Sequence, residues 1–199
     1  SIGIAFLNTL LCILLGYPAA YILTQTKMKY ANTIVMLFIL PMWVNILVRT
    51  LATVALFDFA DLPLGEGALL FGMVYNFIPF MIYPIYDTLQ EMGRSYIEAA
   101  EDLGASPWQQ FFKVILPLSM PGIMSGITMV FLPSMTNYVV SDMLGNSKVT
   151  IIGKFIYEYF GTNWHMGSMV ALILLIVVFL TTWLTGGFRE DEPVRGANI

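Results

Sequence analysis

The chain has 199 residues, of which 58% are hydrophobic and 11% charged, with a net charge of −4 and a mean hydropathy of +0.77. A soluble domain carries about 25% charged residues, so this composition excludes a water-exposed globular surface and points to an integral membrane protein. The lack of any basic patch speaks against nucleic acid as a partner, and one Cys with one His speaks against an all-protein zinc site.

Five charge-free windows follow along the chain: Ser1–Thr26, Tyr30–Val48, Gly67–Tyr86, Val114–Ser141 and Met166–Phe188, each at least 19 residues long. About 20 apolar residues cross the hydrocarbon core as a helix. The runs are continuous rather than alternating, so they read as helices and not as barrel strands. The expected fold is therefore an all-α membrane protein with five transmembrane helices. Pro18, Pro41, Pro79, Pro84, Pro121 and Pro133 fall in or near these windows and should kink them. Cys12 reads as a small buried hydrophobe. The second window, taken as one helix from Tyr30, puts Arg49 about 28 Å along at 1.5 Å per residue, at the outer interface where it would snorkel to water.

Orientation follows from Lys and Arg in the short loops. Lys27, Lys29, Arg94, Lys113, Arg189 and Arg195 fall on one side, and Lys148 and Lys154 on the other with the acidic Asp58, Asp61 and Glu66. The first side is expected to be cytoplasmic. The first window would then enter from outside. The first charge is Lys27 and no basic n-region opens the chain, so a further helix is expected before Ser1, six in all.

Between the third and fourth windows, residues 95–117 read as a cytoplasmic helix-turn-helix. Ser95-Tyr96-Ile97-Glu98 is a capping-box pattern, and Gly104 stands where a helix end wants positive φ. Ser106-Pro107-Trp108-Gln109 is a second capping box with Pro107 at the first helical position. Trp108, Phe111, Phe112 and Ile115 then recur at helical spacing as one apolar face, and Pro117 should interrupt the helix as the chain returns to the membrane.

The string Glu98-Ala99-Ala100, Gly104 and Val114-Ile115-Leu116-Pro117 resembles the EAA loop, the signature of permease subunits in binding-protein-dependent ABC importers. Val114 stands where the family pattern has isoleucine. The resemblance implies one importer transmembrane domain over 1–199 in a bacterial plasma (inner) membrane, with 95–117 as its coupling loop. By position, Glu98, Ala99, Ala100 and Gly104 would dock on an ATPase subunit, with Ser95 and Trp108 shaping the two short helices. It also implies a homologous second permease, two copies of a cytoplasmic ABC ATPase holding ATP and Mg, and an extracytoplasmic binding protein. No cofactor is expected on this chain, and its surroundings are membrane lipid. No chemistry of its own is expected: it carries no phosphate-binding Gly-x-x-x-x-Gly-Lys motif.

Two further stretches, Pro41-Met42-Trp43-Val44-Asn45 running to Arg49, and Phe131-Leu132-Pro133-Ser134 with Tyr138 to Gly145, resemble the spermidine/putrescine branch of that family, particularly its B subunits. A polycation crossing a membrane needs acceptors and π-faces. Asp142 with Tyr138 and Asn137 is the candidate cluster, to which Trp43, Asn76 and Tyr75 would add. Within the family the alternative solutes are thiamine, ferric iron or an oxyanion. Outside it the rival is an ion-coupled secondary transporter, which would carry internal repeats and midplane ionisable groups that are not seen here.

Overall fold

The computed structural model describes residues 2–25, 31–93, 95–145 and 151–184, and among them every regular element is helical. The predicted first span is one helix, α1 (Ile2–Gln25), which continues through Pro18. The third is one helix as well, α4 (Glu66–Glu91), five residues longer at its far end than the charge-free window, and it runs through Pro79 and Pro84. These two are long and apolar enough to cross a membrane as single rods.

The second and fourth spans differ from expectation, because each is broken. The second consists of α2 (Ala31–Ile39) with a 3-10 turn Leu40–Trp43, and then α3 (Ile46–Phe59), bent by 95° relative to each other. Pro41 tightens the end of α2. Val44 is extended, and Asn45 starts a new helix by accepting the Leu47 amide on its Oδ1 at 2.8 Å. The window Tyr30–Val48 was therefore continuous in hydropathy but not in backbone. Arg49 consequently lies in the first turn of α3 and is only 8% exposed, so it is buried in the chain rather than snorkelling to water.

The fourth span begins with α6 (Pro107–Gln110), a π turn Phe111–Ile115 and α7 (Leu116–Leu118). It bends by 59° and continues as α8 (Met120–Thr136) and α9 (Tyr138–Leu144). Regular helix is interrupted around Pro117, as expected, by a π turn before it and the bend after it. The proline ring would clash with the carbonyl one turn back, and the π turn, in which the Leu116 amide reaches Phe111 O, absorbs that misfit. The bend falls at Ser119. An amphipathic helix α10 (Ile152–Thr162), not anticipated as an element, precedes α11 (Trp164–Leu184), which starts two residues before the predicted fifth window. The end of that window, 185–188, lies outside the described residues, as do Lys27, Lys29, Arg94, Lys148, Arg189 and Arg195 of the charge argument. α5 (Ser95–Asp102) completes the set.

The core is the packing of α1, α4 and α8 on one another. Lipid is as apolar as leucine, so between membrane helices close packing and hydrogen bonds hold the structure rather than the hydrophobic effect. Met73, Met81, Ile82 and Ile85 of α4 are fully buried in the middle of it. Close approach to α8 is made possible by Gly122, where a Cβ would come within 2.6 Å of Pro84 O. Two buried polar bridges join α1 to α8 and its lead-in. Asn8 Nδ2 donates to Ser134 Oγ at 2.7 Å, and Tyr17 OH lies 3.1 Å from Ser119 Oγ. Outward, α1 and α11 present large apolar residues such as Phe6, Leu14, Leu172, Leu175 and Phe179, a surface suited to acyl chains.

Candidate functional site

Two sets of candidate residues lie at opposite ends of α4. The loop 95–118 follows its C-terminus. At the other end the Gly65 amide, just before α4, donates to Leu144 O at 3.0 Å and so pins the end of α9 there. The 26 residues of α4 separate the two ends by about 39 Å at 1.5 Å per residue.

The loop is assembled from local signals. Gly93 at φ +66° turns the chain after α4. Ser95 is already the first helical residue of α5, one position past the cap that its motif assigned to it. At the other end of α5 the expected glycine is in place. Gly104 has φ +74°, its amide donates to Glu101 O at 2.8 Å, and the Ala105 amide donates to Ala100 O at 3.0 Å. This pair of bonds is a Schellman ending. Ser106 and Gln109 then form the expected reciprocal cap, with Ser106 N to Gln109 Oε1 at 3.0 Å and Gln109 N to Ser106 Oγ at 3.4 Å.

The four apolar residues of the expected face form a continuous run, with the Phe111 and Phe112 rings 5.1 Å apart, but they are unequally covered. Phe111 turns inward and meets Tyr17 and Tyr21 of α1 edge-on, with centroids at 5.8 and 5.5 Å, and Ile115 is buried beside it. Trp108 and Phe112 turn outward and stack on each other at 5.9 Å. The difference lies in what covers them, since Tyr17 and Tyr21 of α1 reach Phe111 and leave the Trp108 and Phe112 rings open. On α5, Ala100 is buried and Ile97 packs inward, while Ser95, Glu98 and Ala99 face out. The outcome is an exposed rim of Tyr96, Leu103, Trp108 and Phe112 beside the carboxylates of Glu98, Glu101 and Asp102. Leu103 and Trp108 are 88% and 74% exposed. Exposed apolar side chains clustered in this way are the kind of surface found at protein–protein or membrane contacts.

At the opposite end, Asn137, Tyr138 and Asp142 come together on α9, and each has a local partner. Asn137 Oδ1 accepts the Val140 amide at 3.3 Å and so starts α9. Tyr138 stacks on Tyr157 of α10 with centroids 4.9 Å apart and planes within 7°. Asp142 Oδ1 pairs with Lys154 Nζ at 2.8 Å. Sequence reasoning treated Lys154 only as an outer charge and missed Tyr157 and Glu158. The signal was present in their spacing, since Lys154, Tyr157 and Glu158 lie at i, i+3 and i+4 on one face of α10.

The remaining candidates are dispersed. Trp43, in the 3-10 turn, is 87% exposed, and Tyr75 is 42% exposed on α4. Asn76 is fully buried, with Nδ2 donating to Gly72 O at 2.8 Å and Oδ1 unpartnered. Among the described contacts none joins these three to the α9 cluster. Arg49 is a second buried polar group, with Nε and Nη1 lacking hydrogen-bond partners.

Comparison with known proteins adds the context for this geometry. Residues 12–189 match the family model described as binding-protein-dependent transport system inner membrane component. The chain is 36% identical to the spermidine/putrescine transport system permease protein PotB of Haemophilus influenzae, over 90% of this chain and 70% of that protein. It is 35% identical to PotB of Escherichia coli strain K12, over 90% and 72%. Among solved structures, an inward-facing MetNI methionine ABC transporter chain superposes with a TM-score of 0.71 over 92% of this chain and 88% of the other, at 21% identity. That likeness is one of fold alone.

Proposed function

We propose that this chain, which belongs to the family of binding-protein-dependent transport system inner membrane components, translocates polyamines of the spermidine and putrescine class by alternating access. The family is one of multi-pass, non-catalytic pore subunits of the bacterial inner membrane. The observation that carries the substrate is the 36% identity, over nine-tenths of the chain, to a permease named for spermidine and putrescine.

On this reading residues 1–199 form one transmembrane domain that pairs with a homologous permease to enclose the path. Two copies of an ABC ATPase bind beneath it. They hold ATP and Mg, and no nucleotide or metal resides on this chain. An extracytoplasmic binding protein delivers the substrate. The loop 95–117 is the coupling element. Glu98, Ala99 and the Gly104 turn would meet the ATPase together with Trp108, while Ser95 opens and Ala100 seats the first short helix. Supporting this is the exposed rim, which combines apolar side chains with carboxylates suited to basic partner residues. Asp142, Tyr138 and Asn137 are candidates for the path at the other end, with Asn76, Tyr75 and Trp43 further along it.

The test is uptake of labelled spermidine by cells that express the full-length subunit with its neighbouring transport genes, with putrescine, thiamine and ferric iron as competitors. ATP-dependent uptake blocked only by polyamines is the expected result. An assembled, ATP-hydrolysing complex that takes up no spermidine would refute the substrate assignment.

A further inference from the structure

The junction between α9 and α10 is built in two layers. Tyr138 stacks on Tyr157 in one, and Asp142 pairs with Lys154 in the other. The partner numbers rise along α9 as they fall along α10, so the two helices run antiparallel, with the layers about one helical turn, 5.4 Å, apart. Glu158 Oε1 stands 4.0 Å from the same Lys154 Nζ. Among the described residues, two carboxylates against one ammonium give the cluster a net charge of −1.

Exposure within the cluster is uneven. The Lys154 side chain is 8% exposed, whereas those of Asp142 and Glu158 are 59% and 54% exposed. An ammonium offers three donors, and among the described residues one carboxylate oxygen, Asp142 Oδ1, lies within hydrogen-bond distance of it. Both carboxylates keep solvent-facing oxygens, and Tyr157, at 65% exposed, keeps a free π-face. Carboxylates and π-faces within one turn of each other are the groups that recognise an alkylammonium. Beyond its Cα, the lysine side chain is itself a butylammonium.

We propose that Asp142, Glu158 and the Tyr138–Tyr157 pair form a binding site for the primary ammonium of a polyamine, and that Lys154 is its resting occupant, displaced as the substrate enters. The inference rests on the polyamine reading above and adds a role for Lys154, Tyr157 and Glu158. Exchange of one ammonium for another keeps the carboxylates paired throughout. A tethered competitor acts at an effective concentration of about millimolar, so Lys154 holds the site at low affinity and returns to expel the substrate. A transporter needs such weakness, since a site that binds tightly does not release.

The experiment is equilibrium dialysis of labelled putrescine and spermidine against the purified, assembled transporter without its binding protein. Lys154→Met keeps the length of the side chain and removes the competitor. It should tighten binding about tenfold, the scale of one charge-assisted hydrogen bond, and slow uptake at saturating substrate. Glu158→Gln, at an exposed position, should weaken binding several-fold, and Asp142→Asn more. In the unaltered transporter n-butylammonium should displace labelled putrescine, and butyltrimethylammonium, which has no N–H donor, should not. Unchanged or weaker binding in Lys154→Met with intact assembly would overturn the proposal, as would equal displacement by the two monoamines, and the ion pair would then be a clamp between helices. If Lys154→Met does not assemble, the Glu158→Gln and monoamine measurements decide the matter alone. Binding and uptake of polyamines that ignore all these changes would refute this site and leave the polyamine reading standing. No polyamine binding or uptake by the unaltered complex would refute both.

Discussion

Phe111 is the aromatic anchor of the loop 95–118 on α1, and on the proposed coupling role its removal should separate ATP hydrolysis from transport. Its ring meets Tyr17 and Tyr21 of α1 edge-on, at 5.8 and 5.5 Å with interplanar angles of 89° and 83°. Each such pair contributes about 0.5–1.5 kcal/mol beyond burial, so Phe111→Ala removes about 1–3 kcal/mol of anchoring, equivalent to about 5–150-fold in the ratio of seated to unseated loop. Ile115, 2% exposed, still holds the chain, so the loop should loosen without detaching and the protein should still insert and assemble. Reconstituted in vesicles with the ATPase and binding protein of the proposed assembly, the variant complex should hydrolyse ATP while uptake per ATP falls at least about fivefold. Phe112→Ala gives the contrast. That ring is 55% exposed and stacks on Trp108, so its loss should weaken retention of the ATPase on the permease. An assembled Phe111→Ala complex that keeps uptake per ATP within about twofold of the unaltered transporter would refute the anchoring argument.

Three other outcomes follow from the same structure. Gly104→Ala has open space around the new methyl group but must hold φ near +74°, at a cost of about 1–2 kcal/mol; hydrogen exchange at the α5–α6 turn should accelerate and ATPase-coupled uptake should drop, whereas unchanged exchange would show that the turn tolerates a Cβ. Gly122→Leu puts a side chain where a Cβ alone would already meet Pro84 O at 2.6 Å, so α8 should be forced off α4 and little folded protein recovered; wild-type yield and thermal midpoint would contradict the close packing. Arg49→Met removes a buried guanidinium with unpartnered Nε and Nη1, and unpaired buried polar groups cost about 1–3 kcal/mol each. The thermal midpoint of the purified complex should therefore rise, and a fall would mean that another chain or lipid completes the pairing.

The class of this protein was legible without coordinates, because membrane burial is written in composition and span length. So were the motifs that act over a single turn: the Schellman glycine Gly104 and the Ser106–Gln109 box are satisfied by residues three to five apart. Hydropathy could not reveal that Tyr30–Val48 is two backbones at 95°, since Val44 and Asn45 break the helix without breaking the apolar run. Nor could periodicity show that Phe111 is covered while Trp108 and Phe112 stay exposed, because the covering rings, Tyr17 and Tyr21, come from a helix far away in the chain. The burial of Arg49 follows from that same break. The meeting of Asp142 with Lys154 and of Tyr138 with Tyr157 depends on an antiparallel return that no local signal encodes. Local hydrogen bonds and the cost of polar groups in lipid are properties of short stretches, and the sequence states them. Which side chains meet across helices is set by how rigid rods bend and pack, and only the tertiary structure decides that.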